Sequence, residues 1–131
     1  MITIQVVGKA LHKIEDDSFQ VIAHDDDLNA AVMSSENHQP NIILLDYNFL
    51  KNRSSLFVRS LCLISTKSKI IMLGNSMQES QLLECLMAGI YGYLDKKDFE
   101  RFFVQAIKAV DSGEAWVSRR IVAKLIESIR G

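Results

Sequence analysis

Hydrophobic residues along the chain fall into five short runs, separated by stretches in which apolar residues recur at helical spacing. The runs cover residues 2–7, 19–23, 41–45, 69–73 and 90–94. A short apolar run bounded by turn residues is typical of a strand that is buried on both faces, as in the centre of a parallel sheet. The pattern therefore predicts five strands.

Helices are predicted between these strands and after the last one. Apolar residues at helical spacing support a short helix over residues 9–15 and a longer one over 54–64. The other predicted helices carry start or stop signals. These signals are Asp27 as a cap and Pro40 as a stop, a capping box of Ser76 and Glu79 with a stop at Gly89, Asp98 as a cap and Gly113 as a stop, and Ser118 as the cap of the last helix.

Strands that alternate with helices favour an α/β fold, with a parallel sheet covered by helices on both faces. The handedness of crossovers leaves few topologies, and the flavodoxin-like doubly wound order 2-1-3-4-5 suits five such units. Asp46 directly follows the central run, and ligands collect at this edge of open α/β sheets. In this order the loop after Val7 lies beside Asp46. An extra C-terminal helix completes the predicted architecture.

Composition restricts the class of protein. The chain has 131 residues, 48% hydrophobic and 24% charged, which suits one soluble domain. A formal net charge of -1 gives no indication of a nucleic-acid or membrane surface. The sequence has no run long enough to span a bilayer and no signal-peptide pattern, so we expect a cytoplasmic protein. Cys62 and Cys85 are isolated among apolar neighbours, and the three histidines show no metal-ligand spacing.

Four segments carry a resemblance to a known family. They are Leu44-Leu45-Asp46, residues 69–73, the stretch Ala88-Gly89-Ile90-Tyr91-Gly92-Tyr93-Leu94-Asp95-Lys96, and residues 106–118. The chain resembles a response-regulator receiver domain of the NarL/FixJ type, strongly in its second half and weakly in its first. The resemblance implies a CheY-like receiver over residues 1–113. It also implies a linker helix over 114–131, leading to a helix-turn-helix DNA-binding domain that these residues do not contain.

The resemblance implies roles at matched positions. Asp46 would be the phosphoryl acceptor in two-component signalling. Lys96 would contact the phosphoryl oxygens as a point charge, with Gly74 and Asn75 beside it. Tyr93 would be the aromatic switch on the face that partners contact.

The sequence departs from the family pattern at the metal site. The family places two acidic residues after the first strand, where this chain has Gly8 and Lys9. Asp46 and the backbone of Asn48 are the ligands that remain, so we expect magnesium binding to be weak or absent. Lys9, if it turns inward, would be a substitute for the metal. If it points into solvent, the missing oxygen ligands are still missing.

Three functions remain open from the sequence. The first is a degenerate receiver with little or no magnesium-dependent phosphorylation, and the second is a conventional receiver that accepts phosphate. The third is a flavin- or nucleotide-binding enzyme on the same fold, although residues 8–11 poorly match a phosphate-binding loop. We expect a signalling module that is not an enzyme and needs no cofactor. Its expected partners are a histidine kinase or another signalling protein, and a second copy bound through the last helix or the strand-five face.

Overall fold

A computed structural model describes residues 1–8, 14 and 16–131 of the chain. Its five strands form one parallel sheet in the order β2-β1-β3-β4-β5. This confirms the predicted fold class and strand order. The helix predicted over residues 9–15, and Lys9 with it, lies outside the described residues apart from residue 14. The strands are β1 Ile2–Val7, β2 Phe19–Asp25, β3 Ile42–Asp46, β4 Lys69–Gly74 and β5 Gly92–Asp95.

Six α-helices flank the sheet in the described part of the chain. Two short 3-10 turns accompany them, over Lys51–Arg53 after α2 and over Lys96–Asp98 after β5. The helices are α1 Leu28–His38, α2 Tyr47–Leu50, α3 Ser54–Ile64, α4 Glu79–Ala88, α5 Phe99–Asp111 and α6 Arg119–Arg130.

The core forms two layers, one on each face of the sheet. Ile43 and Leu45 of β3 face the helices α1, α3 and α4, whereas Ile42 and Leu44 face α5. All four side chains are fully buried. Burial of one such side chain stabilises the fold by roughly 1.5–3 kcal/mol. The central strand is therefore fixed from both sides, and its last residue, Asp46, is held at the edge of the sheet.

Two predicted helix caps are wrong in detail. The capping box of Ser76 and Glu79 does not form, because α4 begins at Glu79 with Gln78 as its cap residue. Asp98 precedes α5 but accepts no capping hydrogen bond. The caps Asp27 and Ser118 are confirmed, since their side chains accept from the backbone N–H groups of Ala30 and Ile121.

Strand β5 and the loop after Asp46 also differ from the prediction. β5 runs over Gly92–Asp95 rather than 90–94, because Ile90 packs in the core of the turn that leaves α4. Helix α2 was not predicted. It begins directly after Asp46, whose carboxylate accepts from the N–H of Asn48 and so caps the helix.

The C-terminal segment returns to the sheet. Trp116 forms a parallel bridge with Gly92, through hydrogen bonds from its N–H to the carbonyl of Tyr91 and from the N–H of Tyr93 to its carbonyl. Helix α6 then packs on α4 through the buried side chain of Ile121. No described helix has the length and apolar character needed to cross a membrane.

Candidate functional site

Asp46 is a buried carboxylate at the C-terminal end of the central strand. Its side chain is 6% exposed, and its Oδ1 atom lies 2.9 Å from the Nζ atom of Lys96. The same oxygen accepts a 3.0 Å hydrogen bond from the N–H of Asn48. A buried carboxylate needs such partners, because an unpaired charge out of water is costly.

Lys96 reaches Asp46 because parallel strands end at the same edge of the sheet. Asp46 is level with Leu73 of β4, and Gly74 is level with Asp95 of β5. Lys96 follows Asp95 directly in the 3-10 turn that leaves β5. Its side chain is 22% exposed, so the ion pair is largely shielded from solvent and salt screens it less than a surface pair.

On the β1 side of the site, the described residue next to Asp46 is Gly8, which approaches with its backbone. Gly8 donates its N–H to the carbonyl of Asp25, and its own carbonyl lies 2.9 Å from Nε2 of His24. Its φ of +132° is a conformation that residues with a side chain rarely adopt. A Cβ atom at this position would lie 2.5 Å from Cβ of Asp46, so an acidic residue does not fit here without a shift of the backbone.

The described residues give little support for a magnesium site. No group of three or more His, Cys, Asp or Glu side chains that could hold a metal occurs among them. The N–H of Asn48 donates to the Asp46 carboxylate and so holds it in place. Asp26 and Asp27 line the same open cleft of about 960 Å³ as Asp46, but Asp27 is engaged as the cap of α1. Lys9 lies outside the described residues, so its role as a metal substitute stays a prediction.

Tyr93 and Gly74 lie together on the β4–β5 side. A Cβ atom at Gly74 would lie 2.8 Å from Cγ of Met77 and 3.1 Å from Cε1 of Tyr93, so these side chains occupy the space beside the glycine. The hydroxyl of Tyr93 accepts a 3.2 Å hydrogen bond from the N–H of Met77. Asn75 follows Gly74 and is exposed. Neither Gly74 nor Asn75 gives the Asp46 carboxylate a hydrogen bond in the described part of the chain.

Asp95 holds the loop between β4 and α4, a role that the sequence did not indicate. Its carboxylate accepts from the N–H of Ser76 at 2.8 Å, from the Ser76 hydroxyl at 3.3 Å and from the N–H of Lys97 at 3.2 Å. Burial alone would raise the pKa of Asp95, but these hydrogen bonds outweigh it and hold the pKa below the ordinary value of 3.8. Ser76 adopts a φ of +52° in this arrangement, which explains why it does not cap α4.

The chain is similar in sequence to a transcriptional regulatory protein. No protein-family model matches it. The chain is 30% identical over 112 residues to the transcriptional regulatory protein DegU of Brevibacillus brevis. That alignment covers 86% of this chain and 48% of DegU, so the chain spans about half the length of this relative.

Solved structures share its architecture. A LuxR-family two-component response regulator from Aurantimonas sp. SI85-9A1 matches with a TM-score of 0.79 and 20% identity, over 99% of both chains. The isolated REC domain of RcsB from Salmonella enterica serovar Typhimurium matches with a TM-score of 0.80 and 14% identity, over 97% of this chain and 99% of that one. These likenesses establish the fold, which is that of the receiver domains of response regulators.

Proposed function

We propose that this chain, which has the receiver fold of response regulators, is the receiver module of a two-component signalling protein. One observation carries the proposal: Asp46 lies at the end of the central strand with Lys96 on one of its oxygens, 2.9 Å away. Asp46 is thus the proposed phosphoryl acceptor and Lys96 the proposed contact for the phosphoryl oxygens. Gly74 and Asn75 at the end of β4 are the further proposed contacts, and Tyr93 is the proposed switch residue.

The same site supports an atypical receiver. Phosphoryl transfer relies on a divalent ion to neutralise the charge that develops on the oxygens. The described residues do not bring three or more His, Cys, Asp or Glu side chains together around such an ion, and an acidic side chain at position 8 would need a shift of the backbone. Asp46 also already has a cationic partner in Lys96. We therefore expect slow or absent magnesium-dependent phosphorylation, with Asp46 and Lys96 paired in the signalling state.

The test is incubation with acetyl phosphate and magnesium, read by intact mass, and with beryllium fluoride and magnesium, read by amide chemical shifts. We expect the mass to remain that of the unmodified chain and the amide shifts to be unchanged. Asp46→Asn is the matched control, since it removes the acceptor and keeps an oxygen for the N–H of Asn48. Stoichiometric, magnesium-dependent modification that this variant lacks would refute the atypical function and establish a conventional receiver.

An enzymatic function on the same fold is the remaining alternative. The relatives named above are signalling proteins, and on that basis we propose that the chain is not an enzyme. A flavin- or nucleotide-binding protein would need a phosphate-binding loop after β1. Purified chain that shows flavin absorbance, or that retains a nucleotide through gel filtration, would contradict this part of the proposal.

The domain organisation and the partners follow from the same proposal. Residues 1–113 would form the receiver, and residues 114–131 would be the linker to a DNA-binding domain through which the whole protein regulates transcription. A histidine kinase or another signalling protein in the cytoplasm would supply the input. The length of DegU, about twice the matched region, supports a longer natural protein.

A homodimer is proposed through α6. This helix buries Ile121, but Val122, Ile126 and Ile129 form an exposed apolar stripe, with Ile129 71% exposed. Sedimentation of Ile126→Glu combined with Ile129→Glu should show a smaller species than the unmodified chain. Leu63→Glu is the matched control, because Leu63 is 80% exposed on α3, another helix. An unmodified chain that is already monomeric at high concentration would contradict the dimer.

A further inference from the structure

A groove runs beside Tyr93 and has no role in the site described above. It lies between α4, the end of β5, the start of α5 and the segment 114–118 that precedes α6. Its volume is about 400 Å³, which accommodates one or two side chains of a bound segment. Residues 114–118 are called the linker segment below. The groove exists because the linker segment bridges to β5 at Gly92 rather than leaving the domain.

The groove is apolar at its base and aromatic on its walls. Leu82 and Leu94 are buried below it. Tyr93, Phe102 and Trp116 line it and are only partly buried, and the ring centroids of Phe102 and Trp116 are 6.4 Å apart. Aromatic faces carry negative electrostatic potential and attract cations. The molecule already uses this property, because the guanidinium of Arg101 lies 5.0 Å from the centroid of the Phe102 ring.

Two carboxylates also line the groove. Asp95 is engaged with the loop before α4, but Asp98 accepts no hydrogen bond and forms no ion pair with any described residue. Both negative charges act on the Tyr93 hydroxyl at the groove wall. Burial raises the pKa of the Tyr93 hydroxyl, and the negative charges of Asp95 and Asp98 raise it further. Cations adjoin the lining residues in the sequence on both sides of the groove. Lys96 pairs with Asp46, and Arg120 pairs with Glu79. No described ion pair joins Asp98 to these or to Lys97, Arg101 or Arg119.

We propose that this groove binds a segment of a partner protein that inserts an arginine or lysine side chain between the aromatic rings and Asp98, with an apolar residue beside it. The aliphatic stem of such a side chain suits the apolar base, and its charged end suits the rings and the carboxylate. An acidic segment would be repelled by Asp95 and Asp98. A purely apolar segment would leave Asp98 without a partner.

The inference deepens the proposed function, since it rests on a signalling role for its biological meaning and names the chemistry of the partner. Occupation of the groove would contact the ring of Tyr93, whose hydroxyl accepts from the N–H of Met77 in the loop between β4 and α4. A bound partner would thereby stabilise the present position of that loop. Such binding requires no change at Asp46.

The test uses the fluorescence of Trp116, which is the single tryptophan of the chain. The probe is the blocked dipeptide acetyl-leucyl-arginine amide, titrated into the unphosphorylated full chain, with the uncharged acetyl-leucyl-citrulline amide as its isosteric control. We expect saturable binding of the arginine probe, weakened about fivefold or more with citrulline. Amide shifts at Gly92, Tyr93 and Ser118 should change along with the fluorescence.

Asp98→Asn is the decisive variant, because the Asp98 side chain holds no described structural contact and the fold should be unaffected. It should weaken the arginine probe to the level of the citrulline probe. Glu100→Gln is the matched control, since it removes one negative charge from an exposed position in the first turn of α5 and should leave binding unchanged.

Several outcomes would overturn the proposal. Equal binding of both probes would make the groove a purely apolar site, and absence of saturable binding would remove it as a site. A chain whose self-association is lost in Asp98→Asn would give the groove to a second copy. The titration is done without acetyl phosphate, so the two tests are independent. A negative titration does not change the result of Asp46 labelling, and the labelling result does not change the titration.

Discussion

The two sides of the Asp46 site are built differently. On the β5 side, Lys96 pairs with Asp46 and Asp95 holds the loop before α4. The Tyr93 hydroxyl accepts from the N–H of Met77 and donates to Asp95. On the β1 side, the described contact is the backbone of Gly8, held by Asp25 and His24 of β2. One side is therefore a network of charged and hydrogen-bonded side chains, whereas the other is a close backbone approach.

This difference bears on the phosphate site that we propose around Asp46. On the β5 side, Lys96 supplies positive charge and Asp95 fixes the loop before α4. The positive charge matters even without a phosphoryl group, because it keeps the buried Asp46 carboxylate paired. Acidic residues after β1, where the family has them, would supply oxygen ligands for a metal and have no other role at the site. At position 8, where the family resemblance leads us to expect an acidic residue, Gly8 lets the backbone pack directly against Asp46. Mutations on each side should thus have different consequences.

The largest expected effect comes from Gly8→Asp. The new side chain meets Cβ of Asp46 and is placed at a φ of +132°, so we expect the free energy of unfolding in urea to fall by roughly 2–4 kcal/mol. Gly113→Asp is the control, because its φ is +98° but nothing lies within 4 Å, and it should cost only about 1–2 kcal/mol. A stable Gly8→Asp protein that gains magnesium binding would show that the β1 side, like the β5 side, can hold a charged side chain at the site.

Lys96→Met tests the β5 side next. The variant keeps the aliphatic stem but leaves Asp46 buried without its cation, so we expect a loss of about 1–3 kcal/mol in the free energy of unfolding. Adding Asp46→Asn should recover part of this loss, because the carboxylate that lacked a partner is then neutral. If the double variant is as unstable as the sum of the two single ones, the ion pair is not the reason for the effect.

Asp95→Asn should have a smaller, pH-dependent effect of about 1 kcal/mol near neutral pH, through its hydrogen bonds to Ser76 and Lys97. The folded pKa of Asp95 lies below 3.8, so its charge stabilises the fold fully above that value and loses this contribution as the pH falls through the folded pKa.

Unfolding of the unmodified chain and of Asp95→Asn across acidic pH checks whether this stabilisation is lost as the pH falls. The difference in stability between the unmodified chain and Asp95→Asn should be constant near neutral pH and shrink below about pH 4. Asp98→Asn is the comparison, and it should stay within about 0.5 kcal/mol of the unmodified chain. If this difference in stability grew on acidification, the charged carboxylate of Asp95 would not be the form that holds the loop.

The smallest effect is expected in the 3-10 turn that follows α2. Lys51 has φ +54° and ψ -127°, which is the geometry of a turn position that usually holds glycine. Lys51→Gly should therefore stabilise the chain by about 0.5 kcal/mol in urea unfolding. Asn52→Gly is the control, since its φ of -92° needs no glycine and the change should be destabilising.

The sequence predicted the framework of the site because its signals are local and strong. The apolar run before Asp46 predicted a central strand buried on both faces. The alternation of strands and helices then placed the strand ends of β3 and β5 at one edge. Lys96 was matched to Asp46 through the family resemblance, and the structure brings the two side chains together.

The contacts that the sequence missed join residues far apart in the chain. Ser76 and Glu79 match a capping box, but Asp95, 19 residues later, binds the N–H and the hydroxyl of Ser76 instead. A local pattern cannot show this competition. Likewise, the difference from the family pattern at position 8 was visible, whereas the 2.5 Å approach to Asp46 that makes an acidic residue costly there depends on how β1 and β3 pair.

The bridge between Trp116 and Gly92 has a practical consequence for handling the protein. Beyond β5 the sheet would otherwise end in a bare edge, whose free backbone groups are a template for pairing with another chain. Trp116 occupies the N–H of Tyr93 and the carbonyl of Tyr91, and the missing side chain of Gly92 allows this close approach. A protein shortened to residues 1–113 would expose that edge together with the apolar surface under Ile121. Such a fragment should precipitate through edge-to-edge aggregation, whereas a chain that keeps residues 114–121 should remain dispersed.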